Sequence, residues 1–477
     1  MASHLKHSAA RGLAIASLAM LLASPAAYAD NEPAPAAEPP SLSDAVGDGL
    51  SKIRPMLEQK PPDFVSATKL VDELVVGAEA DSFDMEVLLN TRARILIQET
   101  GYASAIKPME AALEISDRHH FMSLRDNLDT LNLLAQLYNQ TADDPKKSHE
   151  EQIAAYEKAI GYMQRWFKLN TKPNEDVSFY YAQLLYGEAV AKNQEHPDRE
   201  LIRQARDQVE KVLLMSVHPK PTTYAFLLAT VNQEQDYAHG AELLELMLSR
   251  NPSSKNYWAD LVMFYMILGQ NTKDEAKIRQ LNVRAINTIE RAQALGYLKT
   301  PKDNFNLFTL YYNSNQYGTA ADILHDGLMS GNIDPSLANW QLLASSYEQT
   351  NQEFKSIDAL KEASKRFPKN GELDMKIAQV YYGLGKNDEA FAYSKVAMEK
   401  GGLAKPLQTY EFIAYLAYEL HEFDFAKLAI DKAVDLIKGP PDHQILVLKS
   451  AIEDAIKEAK DKQDKTAEKT QPVSPTS

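Results

Sequence analysis

The sequence predicts an all-α protein, a right-handed superhelical solenoid of helix hairpins, on three observations. Apolar residues recur at helical spacing over nearly the whole chain beyond residue 41. Strand signals are missing: there is no long Val/Ile/Thr alternation, and Asn370-Gly371 sits between helical stretches rather than between strands. The chain also repeats itself. The stretch WQLLASSYEQTNQEFKSIDALKEASKRFP (Trp340 to Pro368) is answered 34 residues later, Ala344 by Ala378, Tyr347 by Tyr381, Ser356 by Ala390 and Ala363 by Ala397.

The elements follow in order. Residues 1–29 read as a cleavable export signal, with Lys6 and Arg11 in a positive n-region and Leu13 to Ala23 as the apolar core. Ala27-Tyr28-Ala29 supplies a small-x-small cleavage site. The apolar run is too short to span a bilayer, which takes about 20 residues, and no Cys follows it to carry a lipid anchor. The expectation is a periplasmic protein without membrane insertion once the signal is removed. Residues 30–41 form a Pro/Ala/Glu linker expected to be disordered, and 42–82 hold two N-terminal helices, around 42–58 and 63–76. Residues 83–437 carry about nine repeat units, clearest over 301–437. Residues 438–459 are a terminal helix covering the last apolar face, as a solenoid end requires. The polar, aperiodic 460–477 is an expected disordered tail.

Within the clear units, Trp340, Leu343, Ala344 and Tyr347 belong to a first helix and Ser356, Leu360 and Ala363 to a second, closed by Pro368. The next unit has Ile377, Ala378, Tyr381, Ala390, Ser394 and Ala397, and a third has Ala414, Ala426, Ile430 and Ala433. Small residues recur at offsets of 12 and 7 because two antiparallel helices cross there, and a side chain beyond a methyl would hold their backbones apart. The offsets return upstream at Ala93, Ala105 and Ala112, at Ala229, Ala241 and Leu248, and at Phe308, Ala320 and Gly327. After Trp258, Leu261 and Tyr265 the partner set Ala285, Ile289, Ala292 comes 11 residues late, which requires a longer second helix or a longer turn. Asp334-Pro335 and Asn370 are expected helix starts, Asp334 and Asn370 as caps.

This pattern resembles the tetratricopeptide repeat superfamily over about three quarters of the chain. The C-terminal stretch from YYGLGKNDEAFAYSKVAMEKGGLAKP to LQTYEFIAYLAYELHEFDFAKLAI also resembles periplasmic repeat proteins associated with TonB-type energy-transduction systems of gammaproteobacteria. The resemblance implies a protein-binding groove lined by first helices, at positions 2, 5, 9 and 12 of each unit. In this chain those positions are Lys302, Phe305, Thr309 and Tyr312; Ala338, Gln341, Ser345 and Glu348; Glu372, Met375, Gln379 and Tyr382; and Gln408, Glu411, Tyr415 and Tyr418. The binding candidates are Phe305, Tyr312, Gln341, Ser345, Glu348, Gln379, Tyr382, Glu411, Tyr415 and Tyr418. Tyr382 and Tyr418 also admit a plain packing role between adjacent first helices, and Tyr347, Tyr381 and Tyr317 read as packing residues. The Lys, Asn and Arg set with which family members grip a terminal carboxylate is nearly absent, Lys302 standing alone.

Composition narrows the function. The chain of 477 residues has 51 Lys and Arg against 66 Asp and Glu, and loss of the signal leaves a formal charge of −17 (49 against 66). That sign disfavours nucleic acid and anionic membrane surfaces. Zero Cys excludes disulfides, thiolate zinc sites and Cys nucleophiles. No glycine-rich phosphate loop, H-E-x-x-H or EF-hand spacing and no G-x-S-x-G occurs. His119-His120 are adjacent and point about 100° apart on a helix, so they cannot chelate from one face. Glu150-Glu151 read as a solvated helix face, and Asn139-Gln140-Thr141 as a glycosylation match in letters only.

The expectation is a non-enzymatic periplasmic scaffold with no metal and no cofactor. It binds an envelope protein of unspecified identity through its groove, as an accessory of a TonB-type transport system. A structural assembly factor for polysaccharide export or outer-membrane biogenesis is the second class. An enzyme or small-molecule binder would need a closed polar pocket. The sequence leaves oligomeric state open.

Overall fold

The computed structural model describes residues 40–439 and 441–469, with side chains up to Lys462; the expected signal, most of the linker and residues 470–477 lie outside them. The described residues form helices and no strands. The chain divides into two compact units, one up to Pro252 and one from Ser253. The boundary falls inside the stretch read as a single solenoid, where extended Asn251 and Ser254 flank Pro252.

The first unit begins with a hairpin of α1 (Asp44–Glu58) and α2 (Phe64–Gly77). It continues with α3 (Phe83–Gln98) and α4 (Tyr102–His119), then α5 (Leu124–Ala142) and α6 (His149–Leu169). Next come α7 (Glu175–Lys192) and α8 (Arg199–Met215), and α9 (Pro221–Gln233) with α10 (Tyr237–Arg250). The second unit pairs α11 (Lys255–Gln270) with α12 (Glu275–Ala294) and α13 (Pro301–Asn313) with α14 (Tyr317–Ser330). Then α15 (Leu337–Glu348) pairs with α16 (Glu353–Arg366), α17 (Gly371–Gly383) with α18 (Asn387–Lys400), and α19 (Pro406–Glu419) with α20 (Phe423–Asp435). The terminal helix α21 (His443–Lys469) closes the unit.

Small residues sit where the helices cross. Ala344, Ser356 and Ala363 are buried, as are Ala378, Ala390 and Ala397, and Ala414, Ala426 and Ala433. A leucine at Ala363 would overpack the crossing by about 1–3 kcal/mol. Gly327 meets a similar demand, since a Cβ there would meet the side chain of Ile333, in the loop after α14, at 2.5 Å. Around the crossings, Trp340, Leu343, Leu360, Ile377 and Ile430 fill the core, each such side chain contributing about 1.5–3 kcal/mol by burial. The late partner of α11 is explained by helix length. α11 and α12 run 16 and 20 residues with only residues 271–274 between them, so Ala285 falls in the third turn of α12.

One turn recurs between first and second helices. Thr100, Gln235, Asn315, Asn351, Gly385 and His421 all have positive φ, and each stands two residues before its second helix begins. The following N–H donates to a carbonyl five residues back, as from Gln316 to Tyr311 at 3.0 Å, Gln352 to Tyr347 at 2.9 Å and Lys386 to Tyr381 at 3.0 Å. This is the Schellman arrangement, which satisfies the last carbonyls of the first helix.

Two expected caps differ. Ser336, not Asp334, caps α15: its hydroxyl accepts from the Asn339 N–H at 3.3 Å, while the Asp334 carbonyl takes the Asn339 amide at 2.8 Å. Pro335 therefore stands before the helix rather than in its first turn. Asn370 occupies the cap position of α17, but its side chain makes no capping bond and its Oδ1 is buried without a partner. The backbone takes over, the Gly371 N–H donating to the Gly401 carbonyl at 2.8 Å. The approach is so close that a Cβ on Gly371 would collide with the Ala397 and Gly401 carbonyls.

The C-terminal end also differs. α21 packs through Ile445, Leu448, Ile452 and Ile456, a stripe at helical spacing on the last hairpin. It continues to Lys469, so residues 460–469, expected to be disordered, are helical. Lys, Gln, Ala and Glu, which make up most of this stretch, are good helix formers, and Glu458 and Lys462 stand at the helical i,i+4 spacing, 3.9 Å apart.

Candidate protein-binding face

The first helices of the second unit present the candidate residues. Burial of Ala344 and Tyr347, and of Ala378 and Tyr381, turns the opposite edges of α15 and α17 outward. Between them lies a cleft of about 420 Å³ that includes Gln341, Ser345, Glu348 and Gln379. Lys376, Val380, Leu384 and Glu353 complete its walls. Glu348 is partly committed to the hairpin, because its Oε1 accepts a hydrogen bond from the Ser356 hydroxyl at 2.9 Å.

The next groove, between α17 and α19, is aromatic. Tyr382 meets Phe412 edge-on, with ring centroids 5.2 Å apart and planes at 87°. Even so Tyr382 is 37% exposed, and Tyr415 on α19 is 41% exposed. Tyr382 thus packs between adjacent first helices and keeps an open face. Beside Tyr415, the Glu419 carboxylate and the Tyr382 hydroxyl raise its pKa above the usual phenol value. Glu411 is half-buried, and burial followed by the neighbouring Asp442 charge pushes its carboxyl above the ordinary range.

Other candidates are tied into the hairpins. Phe305, Phe308, Tyr312 and Tyr317 form a ladder of ring contacts at 5.5, 5.7 and 5.0 Å, so Phe305 and Tyr312 are half-buried packing residues. Tyr418 leans on Phe423 of its own second helix at 5.9 Å. Met375 is buried in the core and does not line the face. Glu372 holds the following turn, accepting from the Ala404 N–H at 2.9 Å. Phe412 and Glu419 were not among the candidates, although Glu411, Tyr415 and Glu419 recur every four residues and that spacing stacks them on one helix face.

A scan against family models gives no match, and a search of curated proteins gives none. Among solved structures, the chain is similar to YrrB, described as a TPR protein with an unusual peptide-binding site. They share 16% identity over 43% of this chain and 97% of that one, with a TM-score of 0.30. It is likewise similar to a tetratricopeptide repeat protein from Parabacteroides merdae ATCC 43184, at 15% identity over 56% and 99% with a TM-score of 0.28. MamA matches at 19% identity over 36% and 94%, with a TM-score of 0.27. The solenoid of helix hairpins rests on the crossings and turns of this chain itself.

The remaining sequence features have structural roles. His119 stacks on Phe121 at 5.1 Å, and His120 ends α4 in the left-handed conformation, its N–H donating to the Ser116 carbonyl at 2.6 Å. Glu151 closes a capping box with Ser148 and pairs with Lys147 at 3.0 Å. Among the described residues, no group of three His, Asp or Glu side chains is placed to hold a metal ion, and no helix is long and apolar enough to cross a membrane.

Proposed function

We propose that this chain is a non-enzymatic periplasmic scaffold that binds an envelope protein along the first helices of its second unit. The observation that carries the reading is the pair of exposed rings, Tyr382 and Tyr415, continuing from the cleft of Gln341, Ser345, Glu348 and Gln379. Tyr in such a place offers a large contact area with few rotors to order. The helices are packed beforehand, so little ordering cost falls on this side of the interface. The export signal read at residues 1–29 supports the compartment. The likeness of the C-terminal stretch to TonB-associated repeat proteins supports a client within such an energy-transduction assembly.

The test is site-specific photo-crosslinking in cells from Gln379 on α17 and, as a control, from exposed Asp358 on the second helix α16. The same envelope protein captured from Gln379 and not from Asp358 is the expected outcome. Capture only from Asp358 would reject the first-helix face.

A second reading, an assembly factor docking through its end, is favoured by one observation. Leu446 and Val447 on α21 are 48% and 53% exposed, and Leu428 on α20 and Leu436 just after it are 49% and 45% exposed. Crosslinks from Val447 in place of Gln379 would support it.

A further inference from the structure

We propose that Glu411, Phe412, Tyr415 and Glu419 of α19, with Tyr382 of α17, form a seat for one lysine or arginine side chain of an extended peptide. The inference rests on the reading of the first-helix face as the binding surface and names what the partner must carry.

The placement comes first. Spacing of four stacks Glu411, Tyr415 and Glu419 in one row along α19, the phenol between two carboxylates. Tyr382 approaches from the neighbouring helix and is held edge-on by Phe412, so its orientation is set before any ligand arrives. Two rings therefore stand open beside a row of acids, the arrangement that attracts a cation to an aromatic face.

Charge makes the seat selective. Among the described residues, neither Glu411 nor Glu419 has a lysine or arginine within ion-pair distance, and Asp442 adds further negative charge beside Glu411. Two lysines of the α17–α18 hairpin are engaged elsewhere. Lys386, in the turn after Tyr382, pairs with Glu389 at 3.3 Å and lies over Phe354 at 5.7 Å, while Lys400 pairs with buried Asp374. Lys376 lines the adjoining cleft together with Glu348 and Glu353. The local field is already felt by Tyr415, whose phenol Glu419 makes harder to ionise. An incoming ammonium or guanidinium would meet the Glu411 and Glu419 carboxylates and lie against the rings. A carboxylate or phosphate would meet Glu411, Glu419 and Asp442 and be repelled.

The experiment uses fluorescein-labelled dodecapeptide pools, degenerate except for a central lysine, arginine, norleucine or citrulline, titrated against the full chain by anisotropy. The lysine and arginine pools are expected to bind about tenfold more tightly than their neutral counterparts at low salt, the advantage shrinking as salt rises. Glu419→Gln should erase that preference while leaving neutral-pool binding in place; Tyr415→Ala should erase it and weaken binding of every pool, and Tyr415→Phe should retain it. Equal binding of all four pools, still blocked by Gln379→Arg, overturns the seat and leaves the face standing. No binding by any pool, or binding indifferent to Gln379→Arg, overturns both.

Discussion

Lys400 Nζ lies 2.7 Å from Asp374 Oδ2 and 2.8 Å from the Ser364 hydroxyl, which in turn donates to Asp374 Oδ1 at 3.0 Å. The Asp374 side chain is only 4% exposed, so this triad ties α16, α17 and α18 together inside the second unit. Two hydrogen bonds to the carboxylate, one of them from the Lys400 cation, offset the cost of taking it from water.

Breaking the triad on one side should be costly. Lys400→Met leaves the buried Asp374 carboxyl without its cation, and is expected to destabilise the second unit by about 3–5 kcal/mol. Replacing both, as Asp374→Leu with Lys400→Met, should recover most of that loss. Denaturant melts followed by circular dichroism measure the difference; equal losses in the single and double variants would show that packing alone is responsible.

The recurring turn makes an opposite prediction. Thr100 holds φ at 69°, a region where its branched Cβ crowds the backbone, whereas Gly385 fills the same place at 70°. Thr100→Gly should stabilise the first unit by about 1 kcal/mol. Asn351→Gly should gain less, because Asn tolerates that conformation. A thermal melt in which Thr100→Gly gains no more than Asn351→Gly would remove strain as the explanation.

Much of this architecture is legible in the letters. Crossing residues such as Ala344, Ser356 and Ala363 declare themselves by being too small for their surroundings, and the same spacing locates α17–α18 and α19–α20. What stays hidden is non-local or carried by backbone. Five of the six left-handed turn residues are not glycine, so composition does not betray the turn. Asp374 and Lys400 are 26 residues apart and look like any exposed helical charges. Asn370 has the right letter for a cap, but the close approach of Gly401 takes its place. Exposure along the first helices is partly legible: Gln341, Ser345, Gln379 and Tyr415 follow the register and reach the cleft or the surface, yet Met375 obeys the same register and is buried.

Two tyrosines of α19, Tyr415 and Tyr418, should therefore part company. Tyr415 is exposed, so Tyr415→Ala is expected to leave the melting midpoint within about 0.5 kcal/mol of the parent while weakening partner capture. Tyr418 packs on Phe423 and the hairpin core, and Tyr418→Ala should cost about 1–3 kcal/mol. A double alanine variant would confuse lost binding with lost fold. Parallel melts and crosslinking yields for the two single variants separate them; equal destabilisation would show that Tyr415 is a packing residue as well.

Glu86 gives the first unit a pH dependence. It sits in the first turn of α3, 4% exposed, and burial raises its carboxyl pKa from an ordinary 4.5 to about 7. The Asn90 side chain and Arg94 oppose that shift, while Asp126 at the start of α5 reinforces it. The folded state therefore holds a proton that the unfolded chain releases at lower pH. Stability is highest below about pH 4.5 as far as this group is concerned, and falls as pH rises through 7, by an amount of the order of 3 kcal/mol once Glu86 is ionised. Glu86→Gln removes the ionisation while keeping shape and hydrogen bonding. It should stabilise the protein at pH 8, with the gain shrinking through pH 7 and vanishing near pH 4.5. Denaturant melts of both proteins across that range decide it, and a difference that does not change with pH would mean that Glu86 is solvated in the folded state.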